Sequence, residues 1–234
     1  RVGICSRVFV HCDAAKDDLL DELNLPRKYR ERIIEIRHGH YLDNYENYVS
    51  PSVARESLNI DEDGTSYLYF GNIRPYKGLS DLIEAFRAIR RPSDELLLVG
   101  NPNPNRIRHD LLRETNDDDQ IRLFFGFIPN ELVQLFMNAV DVVVLPFDEI
   151  TTSGSAILAM SFGKPLVLPR RGCIPELIDE EGAILYQPDA DGLSPALEQA
   201  SAADLNAMGE HNYKLVSSYT WEAAASETTK CYRD

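Results

Sequence analysis

The chain has 234 residues, 44% of them hydrophobic and 26% charged, which is enough apolar material for one soluble domain with a substantial core. A net charge of -14, from 38 acidic and 24 basic residues, argues against nonspecific nucleic-acid binding, which depends on lysine and arginine neutralising phosphates. The longest apolar runs, 96–100 and 141–147, fall well short of the roughly 20 residues that span a bilayer, and no basic stretch leads into an apolar one near Arg1. The start on an apolar stretch without an initiating Met reads as a fragment or a processed piece. Cys5, Cys12, Cys173 and Cys231 are spaced too widely for a CxxC pair, and a domain of this size needs no disulfide framework, so reduced and mostly buried thiols are expected.

Along the chain, a β-type run over 8–11 is followed by a helical stretch over 14–23 and a second run over 33–37. Polar, tyrosine-rich sequence over 44–52 marks the expected weak point between these strands and the main body. Beyond it, runs over 67–71, 95–100, 121–126, 141–146, 165–169 and 183–186 read as strands. Most are continuous apolar stretches without strict alternation, as in strands buried on both faces of a parallel sheet. Helical patterns over 79–89, 106–114, 130–139, 155–162 and 175–179 separate them, and this alternation implies right-handed crossovers in a doubly wound α/β sheet. From about Leu193 the strands stop and alanine-rich helical sequence runs to the end. Strands ending at Gly71, Gly100, Gly126, Pro146 and Pro169 mark the carboxyl edge, where open α/β folds bind ligands.

Three segments at that edge could carry chemistry. Gly71-Asn72-Ile73-Arg74-Pro75-Tyr76-Lys77-Gly78 runs from a strand end into a helix, and its two cations and two glycines suit either a diphosphate cradle or a solvated loop. It matches neither a P-loop nor a GxGxxG fingerprint. Thr151-Thr152-Ser153-Gly154-Ser155 opens a helix, where small hydroxyl residues either bind an anion or merely cap the helix. Arg170-Arg171-Gly172-Cys173-Ile174-Pro175-Glu176 is a basic turn that could contact a ligand or simply start a short helix. His38-Gly39-His40 lacks a third ligand for a metal, and His38 is expected to have a hinge or structural role.

Taken in order, these segments resemble the C-terminal, donor-binding half of a group 1 (family 4-like) glycosyltransferase with the GT-B fold. Residues 69–78 with Leu82, Ala85 and Phe86 are similar to the family's strand, phosphate loop and helix. Leu123 to Ile128, then Leu135, Ala139 and 141–146, resemble the base-reading segment and the lead into the donor loop. Gly163-Lys164-Pro165-Leu166-Val167, Gly172, Pro175-Glu176-Leu177 and Gly182 resemble the strand and turn after it, and Tyr219-Thr220-Trp221 the start of a closing helix over 219–234. Residues 1–40 resemble the end of the N-terminal domain and the crossing between domains, so 1–234 is expected to form a single Rossmann-like domain whose acceptor-binding half is mostly absent.

The resemblance implies retaining transfer of a sugar from a UDP or GDP sugar to a hydroxyl acceptor, without metal or cofactor. Arg74 and Lys77 would hold the leaving diphosphate and Glu149 would contact the sugar. Gly71, Asn72, Phe127, Ile128, Thr152, Ser153, Gly154 and Ser155 would bind the rest of the donor. The expected partners are this donor and, through the missing half, a sugar or lipid-linked acceptor, in polysaccharide, glycolipid or glycoprotein synthesis. The expected location is the cytoplasm, with room for peripheral membrane contact in the full-length protein and no nucleic-acid partner. One departure stands out. The family's usual pair of glutamates falls at Ile150 and Leu158, and its phosphate-loop arginine nearest Asn72. A noncatalytic binding module and half of a nucleotide-sugar epimerase are the competing readings.

Overall fold

The computed structural model describes residues 5–188 and 192–233. Strands β1 (Val8–Val10) and β2 (Ile33–Glu35) flank helix α1 (Ala14–Glu22) and pair in parallel as a small separate sheet. Helix α2 (Pro51–Leu58) leads into the main body, whose strands are β3 (Ser66–Phe70), β4 (Glu95–Gly100), β5 (Ile121–Phe125), β6 (Val142–Val144), β7 (Leu166–Pro169) and β8 (Ala183–Tyr186). Between them lie α3 (Leu79–Ile89), α4 (Asn105–Glu114), α5 (Asn130–Ala139), α6 (Gly154–Ser161) and the short α7 (Ile174–Leu177). Three helices follow: α8 (Leu193–Ala202), α9 (Leu205–Val216) and α10 (Trp221–Arg233).

The six main strands are all parallel, in the order β5-β4-β3-β6-β7-β8. The chain therefore builds outward from β3 to β5, then returns to the other side of β3 and builds outward from β6 to β8. The reversal between β3 and β6 is the topological switch point, where the crossing loops diverge and leave a crevice at the carboxyl edge. Helices must cover both faces, because β3, β4, β6 and β7 are buried along most of their length. A row through Leu97, Leu68, Val143 and Leu166, in register from β4 to β7, is wholly excluded from solvent. Leu79, Leu82, Ile83 and Phe86 recur at helical spacing and place one face of α3 in this core.

The Rossmann-like doubly wound sheet matches the expectation from the sequence, with three of its six strands one to three residues shorter than their apolar runs. Two expectations are corrected. The 44–52 stretch is not a weak point, because α5 holds it: Gln134 Oε1 accepts from the Tyr48 and Val49 N–H groups at 3.0 Å each, and Asn138 Nδ2 donates to the Val49 carbonyl at 2.8 Å. Helix α2, which the sequence reading omitted, follows directly, with Ser50 as its cap and Pro51 in its first turn. The four reduced thiols are the second correction. Cys12 and Cys173 form a disulfide across 161 residues, with Cα atoms 5.5 Å apart, while Cys5 and Cys231 are free. Folding sets the turn after β1 against the turn after β7, a proximity that spacing along the chain does not encode.

Candidate functional site

The site is built from the two loops that diverge at the switch point. The first leaves β3 at Gly71, whose φ of +146° lies outside the usual range of L side chains, and its course is fixed on three sides. The buried Ile73 donates its N–H to the Asn101 carbonyl at 3.1 Å, and its own carbonyl accepts from Asn103 N–H at 3.0 Å, which joins this loop to the one after β4. The Tyr69 hydroxyl, sunk in the core, donates to the Asn72 carbonyl at 2.8 Å. A 3-10 turn over Pro75–Lys77 ends at Gly78, where a Cβ would lie 2.1 Å from the Pro146 carbonyl oxygen of the opposite loop.

Lys77 projects from this turn. It is half-buried, and among the described residues its ammonium has no hydrogen-bond acceptor or carboxylate partner. It lies 3.9 Å from the centroid of the Phe147 ring instead, and burial holds its pKa below the usual lysine value. Aromatic faces attract a cation but accept none of its three N–H bonds in the way an oxygen does. Arg74 is half-buried nearby and spends one N–H on the Asn103 carbonyl at 3.3 Å, leaving most of its fork unused.

The second loop follows β6 and ends at the start of α6. Ser153 is buried, and its Oγ accepts from Ala156 N–H at 3.1 Å, so its side chain is committed to capping the helix. The first bond from an amide to the carbonyl four residues earlier is Ile157 N–H to Ser153 at 3.2 Å, so the Gly154 and Ser155 N–H groups precede the helix ladder and face the crevice end. Ser155 Oγ reaches across to β3, 2.7 Å from where a Cβ on Gly71 would stand. The two loops touch where Gly78 meets the Pro146 carbonyl and Gly71 meets Ser155 Oγ, and they carry donors of the kind that suit an anion: Lys77 on the first, the leading α6 amides and the Ser155 hydroxyl on the second.

The other candidates lie on the same loops or farther along the edge. Glu149 is exposed and makes no ion pair or hydrogen bond among the described residues. Thr152 is half-buried beside Ser153, and Asn72 is exposed. Phe127 is 82% exposed and Ile128 half-buried; they follow β5, two strands from β3 along the same edge. The basic turn is structural. Arg170 pairs with Glu180, and Arg171 donates to the Asp148 and Pro188 carbonyls, bracing the second loop from behind. Leu158 packs in the core, so the place of one family glutamate is filled by an apolar side chain, and Ile150 at the other is partly buried.

Two cavities flank the loops. One of about 460 Å³ is lined by Asp81, Glu84, Asp148 and Arg171, and one of about 550 Å³ by Arg74, Asp81, Asp110, Glu114 and Asp148. Burial, and the neighbouring Asp81, raise the pKa of Asp148 above the usual carboxylate value. Carboxylates outnumber cations in both linings, with Arg171 in the first and Arg74 and Arg106 in the second. The sequence reading missed Tyr41, whose hydroxyl lies 3.3 Å from where a Cβ on Gly154 would be, and whose N–H donates to Ser161 Oγ at 3.0 Å. It also missed Phe147 as the seat of Lys77. Neither contact follows from spacing, because each joins residues from different elements. His38 packs at a tilt against Trp221 and Tyr41, with ring centroids 4.9 and 5.5 Å away.

Comparison with known proteins gives this geometry a context. A profile described as Glycosyl transferases group 1 matches residues 64–202, from just before β3 to the end of α8. A GDP-mannose:glycolipid 4-beta-D-mannosyltransferase of Xanthomonas campestris pv. campestris is 30% identical over 173 residues, which is 72% of this chain and 47% of that protein. An MMP alpha-(1->4)-mannosyltransferase of Mycolicibacterium hassiacum is 31% identical over 165 residues, covering 68% of this chain and 40% of that protein. The chain thus spans about half or less of the length of these relatives. Sucrose-phosphate synthase of Thermosynechococcus elongatus superposes with a TM-score of 0.80 at 26% identity, over 97% of this chain and 57% of its own.

Proposed function

The chain belongs to the group 1 glycosyl transferases, and from that premise we propose that it holds the nucleoside diphosphate sugar from which the whole enzyme transfers a hexose to a hydroxyl acceptor. The observation that carries this reading is that Lys77, whose ammonium has no oxygen partner among the described residues, and the leading amides of α6 stand on the two loops that diverge at the β3/β6 switch point. Breaking the glycosidic bond leaves charge on the departing diphosphate, and donors already oriented toward that charge lower the barrier, at about 3 to 4 kcal/mol for one well-placed donor. Lys77 and Arg74 hold the phosphates, and the Gly154 and Ser155 amides with the Ser155 hydroxyl take the remaining oxygens. Ser153 and Thr152 shape the turn that presents them.

In this reading Asn72 and Gly71 line the crevice floor, and the backbone near Phe127 and Ile128 reads the base. Glu149 lies on the exposed rim, where it can meet the sugar. These cations and helix amides do the work a divalent ion does elsewhere, so transfer proceeds without metal. The acceptor, a sugar or a lipid-linked sugar, is supplied to the crevice by a further domain of the whole protein, which places the enzyme in polysaccharide, glycolipid or glycoprotein synthesis. The name of the Xanthomonas relative supports GDP-mannose as a donor to test first. Retention is the expected stereochemistry. The two relatives carry beta and alpha designations, so the anomeric configuration of the product, read by NMR, is the deciding measurement. A noncatalytic binding module is favoured only by the apolar residues at Ile150 and Leu158.

Calorimetric titration of the chain with GDP, UDP and ADP and their hexose conjugates tests the reading. One nucleotide is expected to bind well above the others. If none binds, either to this chain or to the whole protein, the donor reading fails.

A further inference from the structure

The disulfide links two elements that meet at the back of the donor loop. Cys12 and Cys173 are 2% and 4% exposed and form a small cluster with Ala15, Val10 and Ala14, apart from the main core. The turn that carries Cys173 underlies the loop between β6 and α6: Cys173 N–H donates to the Thr151 carbonyl at 3.1 Å, and a Cβ on Gly172 would lie 2.2 Å from the Ile150 carbonyl oxygen. A shift of Cys173 therefore moves Ile150 and Thr151, and with them the cap at Ser153. A second, noncovalent link spans the same junction. The Glu176 carboxylate accepts from the Asp13 and Ala14 N–H groups at 2.8 and 2.9 Å, at the start of α1. Reduction would leave the two elements in contact through Glu176 but without a covalent restraint.

We propose that Cys12 and Cys173 form a reversible thiol–disulfide site whose oxidised state stiffens the loop leading to α6 and whose reduced state loosens it. In forming the bond the two thiols give up two protons and two electrons. The oxidant is a low-molecular-weight disulfide such as oxidised glutathione, which accepts them and leaves as two thiols by way of a mixed disulfide. A dithiol reverses the exchange. The buried sulfurs become accessible by local opening of the β1–β2 sheet, which is paired in register only from Val8 to Val10. The restraint is a strong one, because the bond closes a long loop in the unfolded chain.

The test uses the 234-residue chain with Cys5→Ala and Cys231→Ala to prevent shuffling, equilibrated in oxidised or reduced glutathione. Peptide mapping by mass spectrometry should find Cys12 joined to Cys173 in the oxidised sample. On reduction, amide hydrogen exchange over residues 148–156 should speed up at least tenfold and the thermal midpoint should fall by about 10 °C. Both responses should vanish with Cys12→Ala, or with Cys173→Ala should the first variant not fold. The oxidised-to-reduced comparison itself needs no further substitution. Two free thiols in oxidising buffer, or equal exchange over 148–156 in the two states, would overturn the proposal. That this loop serves donor binding rests on the functional reading above, but the loop measurement needs no ligand, so a failure of nucleotides to bind would sink that reading alone.

Discussion

Two lysines stand at opposite edges of the main sheet, and burial lowers the pKa of both. Lys164 lies before β7 at the amino edge, where its pKa is pushed down to about 8. Its ammonium donates to the Val140 carbonyl at 2.9 Å, with the Asp141 carboxylate near enough to favour its charge. Lys77 lies after β3 at the carboxyl edge, and no oxygen among the described residues takes its protons. Burying an ammonium costs free energy that hydrogen bonds must offset. Lys164 recovers part of that cost inside the fold and reads as structure, whereas Lys77 does not recover it until something from outside supplies oxygens. Burial alone does not mark a site here. The proposed site rests instead on unused donor capacity at the switch point.

The sharpest way to break this comparison is to remove each ammonium while keeping the stem. Lys77→Met should weaken binding of the preferred nucleoside diphosphate by about 10- to 100-fold, the equivalent of roughly 1.5 to 3 kcal/mol for hydrogen bonds to a charged group. Its folding stability should hold or rise, because a desolvated charge is gone. Lys164→Met should leave the affinity unchanged. Calorimetry on the two variants decides, and equal losses of affinity would show that the two edges do not differ in the way proposed.

How much of this was legible in the sequence follows the same division. The strands of the main sheet could be read because burial on both faces leaves continuous apolar runs, such as 95–100, which need no partner to be recognised. Helix α2 could not, because Ala54 is its one buried side chain and most of its surface is polar, so no apolar stripe announces it. The loop segments were found as candidates, since glycines and cations at strand ends are local signals. Their roles were not. Ser153 and Ser155 look alike in sequence, and only the backbone of the turn, extended at Ser153, gives one hydroxyl to the helix and the other to the crevice. Lys77 and Lys164 both stand in glycine-flanked loop motifs, and what separates them is Phe147 in one case and Val140 in the other. The disulfide lies beyond local reading altogether, because it depends on the packing of two elements 161 residues apart.

Lys164 carries a second, intermediate prediction. Its pKa is lower in the folded chain, about 8, than the ordinary 10.5, so between these values the unfolded chain holds a proton that the folded chain has released. Stability from this group therefore rises with pH through that window, by about 2 kcal/mol between pH 8 and 9.5. Above pH 10 the buried Tyr67 acts with the opposite sign, since burial raises its pKa to about 12 and its ionisation favours unfolding. Urea unfolding at pH 8 and at pH 9.5 should show the rise in the wild-type chain and its loss in Lys164→Met. Lys77→Met should lose only the smaller share that its own lowered pKa contributes with the same sign, which would place most of the coupling between charge and folding at the amino edge.

The smallest effects separate the two serines, and they test the comparison inside a single loop. Ser153→Ala removes the acceptor for Ala156 N–H and should lower stability by about 1 kcal/mol, a fall of a few degrees in the thermal midpoint. Ser155→Ala breaks no hydrogen bond within the described residues, so the thermal midpoint should hold while nucleotide affinity falls a few-fold, the scale of one neutral hydrogen bond of about 0.5 to 1 kcal/mol. The two substitutions remove the same hydroxyl two positions apart, so composition and charge cancel between them. If Ser155→Ala instead unfolds earlier and binds normally, its hydroxyl belongs to the contact with Gly71 and the anion is held by backbone amides and Lys77 alone. The crevice would then depend on the turn's shape rather than its side chains, and any residue small enough to pass Gly71 would serve at position 155.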